Sequence, residues 1–141
     1  MTIQDQKTRI EDFVREIGKR CNVEFEQFTT CEKARYPALE IDRVGDVEFR
    51  AYQNKEMLQY TYLVTLYFGF KDISDFESLM DCLLCSLMKA NLDTFFGAKT
   101  TLHDKRGNRG VMVDDQYLFD NCDREAQTIQ FFIKILDKPC L

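Results

Sequence analysis

Long apolar runs are missing from this sequence, and its first residues predict no leader. No apolar stretch approaches the roughly 20 residues that a membrane-spanning helix needs, so no membrane span is predicted. The first residues, MTIQDQKTRIEDF, are polar and contain no continuous apolar stretch, so no secretory signal is recognised. We therefore expect the protein to stay in the compartment where it is made, with its six cysteines as reduced, buried thiols.

Positive charge is also in short supply. There are 19 Lys and Arg residues against 24 Asp and Glu, which gives a net charge of −5 and a sequence pI near 4.9. An acidic surface repels a phosphate backbone, so we expect no nucleic acid partner. Apolar side chains are plentiful instead: they make up 45% of the residues and include twelve Phe and six Tyr. A chain of 141 residues with this composition predicts one domain, residues 1–141, with its own packed core.

Cysteine spacing suited to metal chemistry is scarce. Cys82 and Cys85 form a C-x-x-C motif, but a structural zinc site needs four ligands. The other cysteines are scattered at positions 21, 31, 122 and 140. A redox C-x-x-C pair begins a helix, where the helix dipole lowers the thiol pKa, whereas this pair lies in the middle of a predicted helix. We interpret these cysteines as small packing residues and predict no metal site.

Residues arranged for catalysis are few. The single histidine, His103, lies beside Asp104 in a predicted strand, where neighbouring side chains point to opposite faces, so we interpret it as a surface residue. The segment KRGNRG (105–110) has no helix directly after it and is not predicted to bind phosphate. No two carboxylates stand out as an acid and base pair. The sequence therefore predicts a protein that is not an enzyme, with no catalytic residue and no cofactor.

Two helices are predicted from capping and periodicity. The first carries a capping box, Thr8 with Glu11, and an apolar stripe at helical spacing. The second, in FESLMDCLLCSLMKANLDTFFG (76–97), follows a capping box of Ser74 and Glu77. Its apolar residues span an arc of about 180°, against the ~100° that one core-facing stripe requires. Either the sheet and another chain both cover this helix, or it lies beneath the loops of its own domain.

Alternating apolar and polar residues predict strands at 23–28, 38–43 and 46–52, each half-buried. A longer strand is predicted at 57–70, and its second face is only partly polar, so we expect cover on that face too. Farther along, AKTTLHD and GVMVDDQYLF flank the segment 105–110, whose glycines suit a hairpin turn.

The tail, residues 123–137, fits two structures. As a strand it aligns apolar residues at every second position, and as a helix it aligns a different apolar stripe. The helix is preferred because Asp120 and Asn121 offer caps and the segment is long. The resulting order, α-β-β-β(β)-α-β-β-α, predicts an α+β fold in which helices pack against one antiparallel sheet.

The element order and several phrases resemble a known family, the class I chaperones of bacterial type III secretion systems (the Tir-chaperone-like family). The phrases are REIGKRCNVEF, ALEIDRVGDVEFRAY and YLVTLYFGF, followed by LMKANLDTFFGAKTTLHDKRGNRGVMV with its Asn91 and Gly97. The resemblance covers nearly the whole chain. The high Cys and Phe content and the β-branched tail depart from the family's pattern.

The resemblance implies a cytoplasmic bacterial homodimer, associated with virulence, that has no catalytic site. Such chaperones bind an extended N-terminal segment of a secreted effector and keep it soluble and competent for export. By this carry-over the dimer interface would contain Leu84, Leu87, Met88, Leu92 and Phe95. The effector-binding candidates are Ile10, Phe13, Ile17, Phe25, Phe28, Phe131 and Ile135. The simpler interpretation of most of these residues is that they form the core.

Three alternatives stay open. In the first, the protein forms a heterodimer with a related chaperone instead of a homodimer. In the second, it is a regulatory module of similar fold that binds a partner that is not exported. In the third, it is a small-molecule enzyme whose site is assembled from residues far apart in the sequence, and a deep polar pocket would then surround His103.

Overall fold

The computed structural model describes residues 1–138, so Cys140 lies outside the described residues. The fold is α+β, as predicted from the sequence. The helices are α1 (Ile3–Arg20), α2 (Ile73–Lys89) and α3 (Leu92–Phe96). The strands are β1 (Glu26–Gln27), β2 (Ala38–Arg43), β3 (Glu48–Tyr52), β4 (Lys55–Phe68), β5 (Lys99–His103), β6 (Met112–Leu118) and β7 (Glu125–Asp137).

Two long antiparallel strands, β4 and β7, form the centre of the sheet, with Leu58 opposite Asp137 at one end and Phe68 opposite Gln127 at the other. The far side of β4 pairs first with β3 and then with β2. In the same way, the far side of β7 pairs with β6 and then with β5. The short strand β1 extends the sheet beyond β2 in a parallel pairing.

The tail is a strand, so the preferred helix at 123–137 was wrong. Ile129, Phe131, Ile133 and Ile135 all lie on one face of β7 and are fully buried. This alternation has the period of a strand, and β4 offers β7 a pairing partner along almost its whole length. The backbone groups of the segment are thus satisfied by β4 on one side and by β5 and β6 on the other.

The predicted hairpin at 105–110 was also wrong, because β5 and β6 pair with β7 and follow one another along the same edge. The loop between them is closed by Asp104, whose Oδ1 accepts hydrogen bonds from the backbone N–H groups of Arg106 (2.9 Å) and Asn108 (3.0 Å). Because β5 and β6 run in the same direction along one edge of β7, the loop joins them without reversing the chain. The predicted strand at 23–28 is reduced to the two residues of β1.

The helices cap differently from the prediction. α1 begins six residues earlier, at a capping box formed by Thr2 and Asp5. α2 begins after Asp72, whose side chain accepts a hydrogen bond from the backbone N–H of Ser74 (3.0 Å). The predicted second helix breaks at Ala90, and α3 follows it with Asn91 as its cap. Each cap satisfies backbone donors that a helix start leaves open.

The sheet has two faces that are covered differently. On the core face, α1 and α2 pack on aliphatic and aromatic side chains of β4 and β7, among them Val64, Leu66 and Phe131. On the outer face, a smaller cluster forms around Tyr67 and includes Phe28 and Phe119. The predicted cover on the second face of the strand at 57–70 is therefore confirmed.

The cysteines are the largest departure from the sequence expectation. Cys21 is bonded to Cys82 and Cys31 to Cys122, with Cα–Cα distances of 5.9 and 6.4 Å. Both distances lie within the range that a disulfide spans. The prediction of reduced thiols was wrong for these four residues, because the fold brings together cysteines that are 61 and 91 residues apart. Cys85 is an exposed free thiol.

Candidate functional site

A cleft beside α2 explains the wide apolar arc of that helix. Leu84, Leu87 and Met88 form one wall of a cavity of about 270 Å³, and Leu102 of β5 and Val111 form the other. We call this the α2 cleft. Met88 is 68% exposed. Part of the apolar surface of α2 is thus buried against the sheet, and part of it lines an open cleft.

The α2 cleft continues past the end of the helix. A second cavity, of about 460 Å³, shares Met88 and Leu102 with it and adds Lys89 and Lys99. Arg109 lines both cavities. This part of an acidic chain therefore combines an apolar lining with three basic residues and one acidic residue, Asp93.

The structure divides the predicted dimer residues between the surface and the core. Leu84 is half-buried and Met88 exposed, and both line the α2 cleft. Leu87 lines the cleft but is largely buried, as is Leu92. Phe95 is half-buried, with its ring centroid 5.4 Å from that of Phe13.

The predicted effector-binding residues lie mostly in the core. α1 packs against the core face of the sheet, so the residues that were expected to line a groove beside it fill the interior. The buried residues are Ile10, Phe13, Ile17, Phe25, Phe131 and Ile135, each at most 4% exposed. Phe131 and Ile135 were expected on the surface of a helix and are instead buried in β7. Phe13 and Ile17 also border a cavity of about 220 Å³ beside α1, and Phe25 borders one of about 290 Å³, so the predicted effector groove beside α1 stays a prediction. Phe28 differs, because it is half-buried on the outer face.

Phe28 belongs to a pocket that sequence reasoning missed. Together with Tyr67, Tyr117 and Phe119 it forms the aromatic part of a cavity of about 440 Å³, which we call the aromatic pocket. The rings of Phe28 and Tyr67 are stacked with centroids 4.5 Å apart, and those of Tyr67 and Phe119 are stacked at 5.4 Å. The only sequence signal was the partly polar second face of the strand at 57–70, which did not indicate the other three rings.

Two loops form the walls of the aromatic pocket and are fastened together. The disulfide between Cys31 and Cys122 joins them covalently. The guanidinium of Arg124 donates hydrogen bonds to the carbonyl oxygens of Cys31 (2.8 Å) and Ala34 (3.2 Å). It also lies over the ring of Tyr36, 4.9 Å from the centroid. The two loops are therefore joined by a covalent bond, by hydrogen bonds and by an internal cation–π contact.

Negative charge surrounds the aromatic pocket. The hydroxyl of Tyr67 donates a hydrogen bond to Oε1 of Glu40 (2.8 Å), and burial raises the pKa of this carboxyl above its ordinary value. Burial, followed by the hydrogen bond to Glu40, raises the pKa of Tyr67. Burial also raises the pKa of Tyr117, and the negative charge of Asp120 adds to this shift. Glu32 and Asp120 themselves line the cavity.

His103 is half-buried, so only part of the side chain lies at the surface where the sequence places it. Its ring stacks on Phe132 with centroids 5.3 Å apart, and Nδ1 lies 2.7 Å from the carbonyl oxygen of Asp104. Nε2 is buried and has no hydrogen-bond partner within residues 1–138. None of the five cavities described for this part of the chain is lined by His103.

The described part of the chain contains no metal-ligand cluster and no membrane-spanning helix. Within residues 1–138 no three His, Cys, Asp or Glu side chains are placed to hold one metal ion. No helix in the same range is long and apolar enough to cross a membrane. Compared with known proteins, the chain matches no family model and is similar to no curated protein.

Proposed function

We propose that this protein is a protein-binding module without an active site, and that another polypeptide covers its α2 cleft. The observation that carries the proposal is the exposed Met88 beside the half-buried Leu84 in an open apolar cleft. Apolar surface of this kind is stabilised when a partner removes it from water. Lys89, Lys99 and Arg109 would add electrostatic contacts to acidic groups of that partner.

The resemblance to type III secretion chaperones supplies the specific form of this proposal. In that form the protein is a cytoplasmic bacterial homodimer that keeps a secreted effector soluble and competent for export. The α+β architecture and the apolar surface of α2 support it. The strand at the end of the chain departs from it. A regulatory module that binds a partner that is not exported is the second form, and a heterodimer is the alternative assembly.

The mass of the protein under native conditions at about 10 µM tests the homodimer. We expect twice the mass of the chain, because a second copy would cover the α2 cleft. A monomer in this experiment would contradict the homodimer.

Substitution separates the α2 cleft from other surfaces. Met88→Asp places a charge in the cleft without disturbing the core and is expected to weaken the dimer at least about tenfold, since it removes apolar contact and buries a carboxylate. Leu118→Asp is the matched control, because Leu118 is 65% exposed and lies outside the α2 cleft. Equal dimer dissociation constants for the two variants would show that the interface lies elsewhere.

Identifying the bound chain distinguishes the two forms of the function. The wild-type protein and the Met88→Asp variant, each purified from the native host, are compared by mass spectrometry. A bound chain that is exported supports the chaperone form, and one that stays inside the cell supports the regulatory form. Because the second copy covers the α2 cleft in the homodimer, a partner bound equally well by both proteins would bind at another surface.

A further inference from the structure

We propose that the aromatic pocket binds a guanidinium group, specifically the arginine side chain of a partner polypeptide. The pocket lies on the outer face of the sheet, whereas the α2 cleft adjoins helices on the core face. The proposal therefore goes beyond the function proposed above, and it can be tested without any ligand in the α2 cleft.

The first argument is the shape and chemistry of the pocket lining. Phe28 and Phe119 are nearly parallel, with 5° between their planes, and both are half-buried, so part of each ring faces the cavity. Tyr67 and Tyr117 complete the aromatic lining. A planar, weakly hydrated guanidinium stacks on such rings more readily than a compact, strongly hydrated ammonium does.

The second argument is charge. Glu32 and Asp120 line the cavity, and Glu40 accepts a hydrogen bond from the hydroxyl of Tyr67. No Lys or Arg is among the residues that line the aromatic pocket. A cation that enters would therefore face aromatic rings and carboxylates, whereas an anion would be repelled.

The third argument is a matching contact inside the protein. Arg124 already lies over the ring of Tyr36 in the adjoining loop and donates its hydrogen bonds to backbone carbonyls. The backbone of the loop from Thr29 to Glu32 also borders the pocket. A second arginine from another chain would find the same kinds of partner there, namely ring faces and oxygen acceptors.

The fourth argument separates a polypeptide arginine from the free amino acid. Free arginine carries an α-carboxylate, which Glu32 and Asp120 would repel, and an α-ammonium, which they would attract, so its two backbone charges oppose one another. An arginine within a polypeptide carries neutral peptide groups in their place, which can bond to the backbone of the loop from Thr29 to Glu32 that borders the pocket. These added peptide contacts, and not the charge of the pocket, favour the polypeptide source.

Amide chemical shifts from NMR, followed in the full-length protein, test the proposal. N-acetyl-arginine-N-methylamide is the probe, and its neutral citrulline analogue is the matched control ligand. We expect the arginine probe to shift the amide signals of residues 29–32 and 119–121 in a saturable way, and the citrulline analogue to shift them far less. Free arginine should bind more weakly than the capped form. Equal binding of free and capped arginine would overturn the polypeptide source.

Variants of the pocket complete the test. Phe119→Leu should raise the dissociation constant about threefold through loss of the ring contact, and Asp120→Asn should raise it by a similar factor through loss of charge. Asp123→Asn, at an exposed position outside the pocket lining, is the matched charge control and should leave the constant unchanged. Equal shifts from the citrulline analogue, or equal constants for Asp120→Asn and Asp123→Asn, would overturn the proposal.

Discussion

The two faces of the sheet are covered by different means. On the core face, the long helices α1 and α2 lie over side chains that are almost all aliphatic or aromatic. A buried polar contact between α1 and this face is made by Gln6, which accepts a hydrogen bond from the hydroxyl of Tyr62. Tyr62 and Gln6 are both fully buried. Stability on this side thus comes mainly from apolar burial.

The outer face has no helix over it in the described part of the chain. Two loops cover one end of it, held together by the Cys31–Cys122 disulfide and by Arg124. The cover encloses a small aromatic cluster and leaves a pocket beside it. A disulfide restricts the unfolded chain and so stabilises a region that buries little apolar surface.

A small domain can thus cover one face of its sheet with packed helices and the other face with cross-linked loops. The packed face leaves its surplus apolar surface at the edge of α2, in the α2 cleft. The cross-linked face leaves a polar and aromatic cavity. Each of the two proposed binding surfaces is thus a consequence of how its face is covered.

The largest expected effect on stability comes from a substitution that leaves a cavity in the core face of the sheet. Phe131→Ala should lower the free energy of unfolding by about 3–5 kcal/mol, because it leaves a cavity at a fully buried position of β7. Phe132→Ala, one residue along the same strand on the outer face, is the matched control and should cost less than half as much, since that ring is half-buried. Urea unfolding of both variants measures the difference. Equal losses would mean that the two faces contribute equally to stability.

The next effect comes from the disulfides. Replacing Cys31 and Cys122 by Ser should lower the free energy of unfolding by about 2–4 kcal/mol. The same change at Cys21 and Cys82 should cost a similar amount, because the entropy of loop closure depends only weakly on loop length.

The readout that separates the two disulfides is near-ultraviolet circular dichroism, since only the first pair holds the loops around the aromatic cluster. We expect the aromatic signal to fall in the Cys31 and Cys122 variant far more than in the other. If thiol titration of the unfolded wild-type protein finds every cysteine reduced, neither disulfide is present and neither stabilises the fold.

The smallest expected effect on stability comes from the buried carboxyl group of Glu40 on the outer face. Because burial raises the pKa of Glu40 in the folded protein, the folded state holds that proton more tightly than the unfolded state does. Stability therefore falls as the pH rises from the ordinary pKa of the carboxyl through its raised value. Glu40→Gln should remove this fall and be slightly more stable than wild type at neutral pH.

Unfolding in urea at a series of pH values between about 4 and 7, a window around the ordinary pKa of a glutamic acid, measures the slope. Glu26→Gln, an exposed position on the neighbouring strand, serves as the control. If Glu40→Gln keeps the wild-type slope, the buried carboxyl is not its source.

Much of the fold followed from local pattern. The strand predicted at 38–43 is β2 to the residue, and the strand at 57–70 matches β4 within two residues at each end. The site could be predicted only in part. The width of the apolar arc on α2 indicated an apolar surface there, but the same apolar stripe of α1 fitted a core and a groove equally well. Packing against the sheet buries this stripe, and Phe13 and Ile17 border a cavity as well.

The sequence by itself determined the elements whose periodicity is unambiguous: α1, α2, β2 and β4, together with the partial cover of the second face. Tertiary structure decided the rest. The tail became β7 because β4 offered it a pairing partner, and the cysteines formed disulfides because the fold brought distant segments together. The aromatic pocket also depends on three segments far apart in the chain. Local pattern records which face a residue prefers, whereas a pairing partner, a disulfide or a pocket depends on residues that local pattern does not connect.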